Sequence, residues 1–205
     1  MAIERTRADV ELIREEVPFD GFWKLKVLHL RYRRFDGSWS QPISREVHAR
    51  GGAVGVLLYD PTLDAVAFVE QFRPGPWERG DARPWLLELV AGLIEPDESP
   101  ESVARRESEE EAGCLITALE PIADYYATPG GCDEYFHVFC ARADLSNVGE
   151  FHGLQAENED IRLHVVRWPE ALQWMRAGRL NNAHALLAMY WMQLNRERLR
   201  AAWRS

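Results

Sequence analysis

Cysteine and long apolar runs are scarce in this sequence. Its three cysteines, Cys114, Cys132 and Cys140, are odd in number and lack Cys-x-x-Cys spacing, which argues against a disulfide framework or a zinc site. No apolar run approaches the roughly 18 residues that a membrane-spanning helix needs, and the N-terminal residues do not resemble a signal peptide. We therefore expect a protein of the reducing cytoplasm, with free thiols and no membrane partner.

Positive charge is also in short supply. The 24 Lys and Arg residues face 33 Asp and Glu residues, so the formal net charge is −9. Nucleic-acid phosphates and anionic membranes would be repelled, which argues against a general nucleic-acid binder. An acidic protein can still act on small phosphate compounds if divalent cations bridge the two negative partners.

The chain has enough residues for one substantial domain and a smaller appendage. Alternating segments around the turn Asp36-Gly37 predict a small antiparallel sheet that lacks a core of its own, which favours dimerisation. A boundary near Gly51-Gly52 divides the chain into residues 1–50 and residues 51–205. Strands flanked by helices in the second part predict an α/β fold, a mixed sheet in an α/β/α sandwich preceded by the small β domain.

The last segment is expected to be a helix with an apolar stripe. Such a stripe can face a ligand, but we expect core packing. Its members are Leu186, Leu187, Tyr190, Trp191 and Leu194.

An unusually acidic helix is predicted between Ser99-Pro100, a good N-terminal cap, and Gly113, a good C-terminal stop. Glu107, Glu110 and Glu111 share one face of it at i, i+3 and i+4 spacing. A solvated surface helix would explain such charges in general. Here the apolar segments on both sides should hold the helix against the core, and clustered carboxylates on a fixed helix are what Mg²⁺ or Mn²⁺ requires.

The spacing of this segment matches a known motif. The Nudix box reads Gly, five residues, Glu, seven residues, Arg-Glu, an apolar residue, any residue, Glu-Glu, any residue, Gly. The matching positions are Gly92, Glu98, Arg106, Glu107, Glu110, Glu111 and Gly113. Ser108 departs from the usual apolar residue. On these residues the chain resembles the Nudix hydrolases, which implies the Nudix α/β/α sandwich.

Further segments resemble the bacterial ADP-ribose pyrophosphatases within that superfamily. Pro129 stands sixteen residues after Gly113, as in that family, although a Pro-Gly-Gly loop alone is more often only a turn. The segments around Glu88, Glu159 and Ala185 also resemble the family. The resemblance implies Mg²⁺-dependent hydrolysis of ADP-ribose to AMP and ribose 5-phosphate.

The resemblance also implies a metal site with two to three Mg²⁺ ions, or Mn²⁺. Glu107 and Glu111 would be the principal ligands, with the backbone carbonyl of Ala91 and the Glu159 carboxylate as further ligands. Arg106 and Glu110 would orient these ligands, and Glu98 would hold the loop to the helix. Glu157 would be the general base, with Glu159 as the alternative. Without the resemblance, the acidic residues at 157–160 would be interpreted as incidental members of an ordinary polar loop.

The family takes part of its adenosine site from an N-terminal domain that is exchanged between the subunits of a homodimer. Aromatic residues would stack on the base and Arg73 would bind phosphate, although packing in a core or an interface is an equal explanation for Phe22 and Trp23. The positions that match substrate-binding residues are Phe22, Trp23, Arg45, Glu46, Arg73, Leu93, Thr128, Pro129, Gly130 and Glu134.

Two alternatives to ADP-ribose hydrolysis stay open. A related enzyme would hydrolyse another nucleoside diphosphate sugar, such as GDP-mannose or ADP-glucose. A non-catalytic Nudix-fold sensor would more often have lost box carboxylates and gained a DNA-binding domain, and this chain retains Glu107, Glu110 and Glu111.

Overall fold

The computed structural model describes residues 4–154 and 158–204. The chain forms two compact units. The first unit runs to Gly51 and also contains Tyr126–Tyr135, and the second comprises Gly52–Tyr125 and the chain from Phe136 onward. Among the described residues, no helix is both long and apolar enough to span a membrane.

The first unit contains a three-stranded antiparallel sheet in the order β1-β2-β3. After a short 3-10 helix, Arg7–Asp9, the strands are β1 (Val10–Asp20), β2 (Lys24–Tyr32) and β3 (Ile43–Ala49). The alternation around Asp36-Gly37 predicted β2 and β3, which pair as a hairpin. It did not predict β1, the long outer strand, whose residues are all exposed.

The second unit is built on an eight-stranded sheet in the order β10-β11-β5-β4-β9-β8, with β6 paired to β5 and β7 paired to β4. Its strands are β4 (Gly52–Asp60), β5 (Ala65–Phe72), β6 (Trp85–Glu88), β7 (Val90–Leu93), β8 (Ala118–Tyr126), β9 (Tyr135–Arg142), β10 (Phe151–His152) and β11 (Ile161–Arg167). Its helices are α1 (Pro74–Arg79), α2 (Pro100–Ala112), α3 (Trp168–Arg176) and α4 (Ala183–Trp203).

Both faces of this sheet are covered, as the near-continuous apolar sequence of β4 requires. Leu57 and Tyr59 project to one face, where they join a core with residues of α3 and α4. Val56 and Leu58 project to the other face, where the core includes Val103 of α2. The predicted α/β/α sandwich with a mixed sheet is therefore confirmed.

Helix α2 begins and ends where its sequence predicts. The Ser99 hydroxyl accepts a hydrogen bond from Ser102 N at 3.1 Å, and Gly113 ends the helix in the left-handed conformation at φ 60°. Val103, Ala104 and Ala112 are fully buried. The helix therefore lies against the sheet on a narrow apolar face, and it is not the fully solvated helix of the alternative interpretation.

The predicted core-facing stripe of α4 was partly wrong. Tyr190 and Leu194 are exposed, whereas the fully buried side chains of α4 are Ala185, Ala188, Met189, Met192 and Leu199. Ala185 and Ala188 allow the helix to approach the sheet closely, which large side chains would prevent. Three members of the stripe, Leu186, Leu187 and Trp191, pack at the margin of this core.

Candidate active site

The contact between β7 and α2 depends on Gly92. A Cβ atom built at Gly92 would lie 1.7 Å from Glu107 Oε1, a distance that no side chain could accept. The Glu107 carboxylate therefore lies directly over the bare backbone of β7. This explains in steric terms why the box begins with glycine.

Glu111 lies one turn further along the same face of α2 and is almost completely buried. Its Oε2 accepts a hydrogen bond from Ala91 N at 2.9 Å, so the carboxylate is fixed against β7. Burial raises the pKa of Glu111 to about 8, and the charges of Glu107 and Glu159 add to the rise, while the Ala91 hydrogen bond opposes it. A buried carboxylate with this pKa lacks a full positive counter-charge.

Glu107 has the same electrostatic character. Burial raises its pKa to about 7 against the charge and hydrogen bond of Arg106, and the charges of Glu110 and Glu159 raise it further. The carboxylates of Glu107, Glu111 and Glu159 thus repel one another in a region of poor solvation. Arg106 is the arginine in contact with Glu107. Hard oxygen donors in such a region are the donor set that a divalent cation prefers, so these residues fit Mg²⁺ or Mn²⁺.

Arg106 connects the helix to the loop before it. Its guanidinium donates to Glu98 Oε1 at 3.0 Å, to Glu107 Oε1 at 2.6 Å and to Glu110 Oε2 at 3.0 Å. Glu98 Oε2 in turn accepts from Glu95 N at 3.1 Å, and the hydrogen bond from Arg106 lowers the pKa of Glu98. These contacts support the predicted role of Glu98 in joining the loop to the helix, and that of Arg106 in orienting the carboxylates.

Ser108, the one departure from the box pattern, is completely buried. Its hydroxyl donates to Ala104 O, one turn back in the helix, at 2.6 Å. The hydrogen bond satisfies the hydroxyl within α2, so serine occupies an apolar position without an unpaired polar group.

The predicted base loop is only partly described. Glu157 lies outside the described residues, so its predicted role as base stays a prediction. Glu159 is half-buried, and its Oε2 accepts from Leu154 N at 3.2 Å. Within residues 4–154 and 158–204, no three Asp, Glu, His or Cys side chains form a ready-made metal cage. The Glu107 carboxylate pairs with Arg106 at 2.6 Å.

Arg73 follows β5 and lies beside these carboxylates. Its Nε donates to Glu88 Oε2 at 2.6 Å, and its charge lowers the pKa of Glu111 against the effect of burial. Glu88 is buried and lies next to Val69 in the pairing of β5 and β6. Arg73 thus has a fixed acidic partner, and the rest of its guanidinium makes no hydrogen bond to the described residues.

The predicted stacking residues, Phe22 and Trp23, belong to the first unit. Phe22 is 84% exposed and meets Trp23 edge-on at 4.5 Å between ring centroids. The guanidinium of Arg50 lies over the Trp23 ring at 4.0 Å and pairs with Glu134 at 3.1 Å. Arg50 thereby brings two predicted residues, Trp23 and Glu134, into one network, whereas Phe22 projects into solvent.

The other predicted substrate residues are dispersed. Arg45 and Glu46 are exposed on β3, opposite Leu28 and Val27 of β2. The Thr128–Gly130 segment forms a turn in which Thr128 O accepts from Gly131 N at 3.1 Å and from Cys132 N at 3.0 Å. In the second unit, Leu93 ends β7 and lies opposite Ala53 of β4. Their binding roles stay predictions.

Sequence reasoning missed Arg50 and Glu88. An acidic residue within the apolar segment from Trp85 to Val90 was a signal, because a charged group in a buried strand needs a partner. Arg50 carried no comparable signal, since its two partners, Trp23 and Glu134, are distant in the sequence.

Comparison with known proteins agrees with this geometry. Residues 49–187 match the profile of the NUDIX domain. The chain belongs to the Nudix family. Its Nudix box is therefore the acidic segment of β7, α2 and the loop between them.

Curated relatives of this Nudix protein match it over nearly its whole length. It is 40% identical to ADP-ribose pyrophosphatase of Escherichia coli (strain K12) over 195 residues, which are 95% of this chain and 93% of the relative. It is 39% identical to ADP-ribose pyrophosphatase of Haemophilus influenzae over 201 residues, 97% and 93% of the two chains. It is 34% identical to GDP-mannose pyrophosphatase of Cronobacter sakazakii over 187 residues, 91% and 96% of the two chains.

A solved structure supports the Nudix fold. The crystal structure of an ADP compounds hydrolase matches with a TM-score of 0.69, covering 98% of this chain and 100% of that chain at 17% identity. At this identity the similarity shows the fold alone.

Proposed function

We propose that the protein hydrolyses the diphosphate bond of ADP-ribose, yielding AMP and ribose 5-phosphate with the help of Mg²⁺. The observation that carries the proposal is a pair of carboxylates, the partly buried Glu107 and the buried Glu111, held over β7 at the positions the Nudix box requires. ADP-ribose is favoured because the relatives with 39–40% identity are named ADP-ribose pyrophosphatases.

The metal would be bound by oxygen atoms of the second unit. We assign the carboxylates of Glu107, Glu111 and Glu159 and the carbonyl oxygen of Ala91 to two or three Mg²⁺ ions, with Mn²⁺ as a possible substitute. When bound, the cations supply charge neutralisation for the diphosphate and activation of water. Arg106 and Glu110 keep the carboxylates in position through the hydrogen bonds described above.

The remaining steps are assigned to side chains of the protein. Glu157 accepts the proton from the attacking water, with Glu159 as the alternative base. Arg73, fixed on one side by Glu88 at 2.6 Å, donates hydrogen bonds to the diphosphate. Its position beside Glu111 suits an anion that is also a partner of the metal.

The adenosine end is assigned to the first unit. Residues 1–50 would act as a dimerisation and substrate domain that is exchanged between two copies, and residues 51–205 as the hydrolase domain. The exposed apolar side chains of β1 support an interface there, because such surface is normally covered. They are Val10, Leu12, Ile13, Val17 and Phe19.

Within this assignment, the substrate groups recognised are the adenine, the riboses and the phosphates. Aromatic stacking on adenine falls to Trp23 and Phe22. The other contacts are assigned to Arg45, Glu46, Leu93, Thr128, Pro129, Gly130 and Glu134. The three free cysteines support a cytoplasmic location, since thiols persist in reducing compartments.

GDP-mannose is the second candidate substrate. A GDP-mannose pyrophosphatase is 34% identical over 91% of this chain. The metal site described above does not distinguish adenine from guanine. A non-catalytic role is disfavoured because both box carboxylates, Glu107 and Glu111, are present. Other nucleoside diphosphate sugars, such as ADP-glucose, belong to the same test.

The test is a substrate panel. Purified protein with Mg²⁺ is incubated with ADP-ribose, GDP-mannose and ADP-glucose, and the products are separated and quantified. We expect the highest kcat/KM for ADP-ribose, with AMP and ribose 5-phosphate in equal amounts. Rapid turnover of GDP-mannose without turnover of ADP-ribose would refute the proposal.

A further inference from the structure

Gln71 is a buried polar residue that no part of the proposed chemistry uses. It lies near the end of β5 and is only 8% exposed. Along β5, Ala67 and Val69 project into the core beneath α2, while Phe68 projects to the opposite face. Because strand side chains alternate, Gln71 projects to the same face as Ala67 and Val69, which is the face of the Nudix box.

The side-chain amide of Gln71 has an unused donor. Its Nε2 is buried and makes no hydrogen bond within residues 4–154 and 158–204. A buried amide donor without a partner destabilises a folded protein, so such groups are rare and call for an explanation. One explanation is a ligand that supplies the acceptor.

The neighbours of Gln71 indicate what this ligand carries. Arg73 lies two residues further on in extended conformation, so it projects to the same side, and it is fixed there by Glu88. On the other side of β5, the pairing with β11 ends at Glu70 opposite Arg162, which places Gln71 beside the start of β11, two residues after Glu159 in the sequence. The amide therefore lies beside the start of β11 and on the same side of β5 as the proposed phosphate-binding arginine.

We propose that Gln71 Nε2 donates a hydrogen bond to a non-bridging phosphoryl oxygen of the diphosphate. These oxygens only accept hydrogen bonds, so they match a donor that stands two residues from a guanidinium. The nearby carboxylates are left free for the metal, because the amide is not bonded to any described one of them. The inference rests on the proposed function, but only on its diphosphate, which all the candidate substrates share.

The test replaces the amide by an apolar group of similar length, Gln71→Met. The affinity for the methylene-bridged analogue of ADP-ribose, measured by calorimetry with Mg²⁺, should fall about 10- to 100-fold, the value of a hydrogen bond to a charged group. The unfolding midpoint without ligand should stay the same or rise, since an unpaired buried donor has been removed. Gln173→Met, at an exposed position of α3, is the matched control and should change neither quantity.

A second variant distinguishes the effect of the hydrogen-bond donor from the effect of the side-chain shape. Gln71→Glu keeps the shape but presents a negative charge to the phosphates, so it should weaken binding more than Gln71→Met does. Unchanged affinity in Gln71→Met would overturn the inference. A lower unfolding midpoint in that variant would also overturn it, because it would show that the amide is paired in the free protein.

The experiment also distinguishes failure of this inference from failure of the proposed function. If the wild-type protein prefers another nucleotide sugar, the proposed function fails. The affinity of wild type and Gln71→Met for inorganic pyrophosphate with Mg²⁺ then still measures the Gln71 contact. Equal pyrophosphate affinities would overturn the inference whichever compound is hydrolysed.

Discussion

At the residue scale, sequence spacing predicted which acids of the box have separate tasks. The partly buried Glu107 and the buried Glu111 are the carboxylates with raised pKa, and Glu98 pairs with Arg106. Glu101 and Glu109, which match no position of the box, are exposed on the same helix. Spacing predicted that Glu107 and Glu111 share one face, because both residues belong to one helix. Residues whose partners come from other elements were not predictable in this way, as Glu88 and its partner Arg73 illustrate.

Glu88→Gln tests the role of the buried partner of Arg73. The amide still accepts a hydrogen bond but no longer attracts the guanidinium, so Arg73 should be held less firmly. We expect the KM for ADP-ribose to rise about 10-fold and the free energy of unfolding to fall by about 1 kcal/mol. Steady-state kinetics and urea unfolding measure the two effects.

Glu78→Gln, at an exposed position of α1, is the matched control for Glu88→Gln and should leave both quantities unchanged. An unaltered KM in Glu88→Gln would show that Arg73 does not depend on this pair.

At the element scale, the sequence predicted the strands and helices whose apolar pattern is strong. It missed β1, because four of the six residues from Glu11 to Glu16 are charged and the pattern does not alternate. All residues of this strand are exposed in one chain. It also selected the wrong face of part of α4. The largest apolar residues suggested the core, whereas Ala185 and Ala188 make the close contact with the sheet.

Gly92→Ala tests the packing of α2 on β7. The added methyl group would overlap the Glu107 carboxylate, so the carboxylate should be displaced and kcat should fall about 100-fold or more. Overpacking of this kind typically lowers the free energy of unfolding by about 1 to 3 kcal/mol. Turnover and urea unfolding are both measured.

Gly75→Ala is the control for Gly92→Ala, because an added Cβ there meets no atom within 4 Å. It should retain wild-type turnover. Full activity in Gly92→Ala would mean that the position of Glu107 over β7 is not needed for catalysis.

At the scale of the whole molecule, the sequence indicated a domain boundary near Gly51. It gave no signal that Tyr126–Tyr135 groups with the N-terminal strands. That grouping depends on long-range contacts. His48 N donates to Gly131 O at 2.8 Å, and Arg50 N donates to Asp133 Oδ1 at 2.6 Å. Such contacts join segments about 80 residues apart, so local patterns do not reveal them.

Stability toward acid should depend on His184. This ring stacks on Phe136 at 4.8 Å, and burial, followed by the charge of Arg73, lowers its pKa to about 4. Between about pH 6.5 and pH 4 the unfolded chain binds a proton that the folded protein does not, so stability is lost as the pH falls. Relative to His184→Phe, the wild type should lose about 2 to 3 kcal/mol between pH 7.5 and pH 4.5.

Urea unfolding of wild type and His184→Phe at a series of pH values measures this difference. Phenylalanine keeps an aromatic ring against Phe136 and cannot be protonated, so acid effects at other residues cancel in the comparison. Parallel stability curves for the two proteins would contradict the assignment.

The proposed dimer predicts a mass of two chains in solution. Leu12→Lys places a charge among the exposed apolar residues of β1, so it should shift the protein toward a monomer and raise the KM for ADP-ribose. Light scattering coupled to size-exclusion chromatography measures the mass. Leu194→Lys, at an exposed position of α4, should remain dimeric, and a wild-type protein of single-chain mass would contradict the dimer.

The most direct test of the account is the turnover of ADP-ribose by Glu107→Gln at saturating Mg²⁺, beside Glu109→Gln on the exposed side of the same helix. Loss of groups that only orient metal ligands typically costs about 10- to 100-fold, so loss of a ligand should cost more. We predict a fall in kcat of more than about 100-fold for Glu107→Gln, with an unfolding midpoint at or above that of wild type, and a kcat within about twofold of wild type for Glu109→Gln. Equal turnover by Glu107→Gln and wild type would contradict the assignment of the acidic helix to metal-dependent hydrolysis.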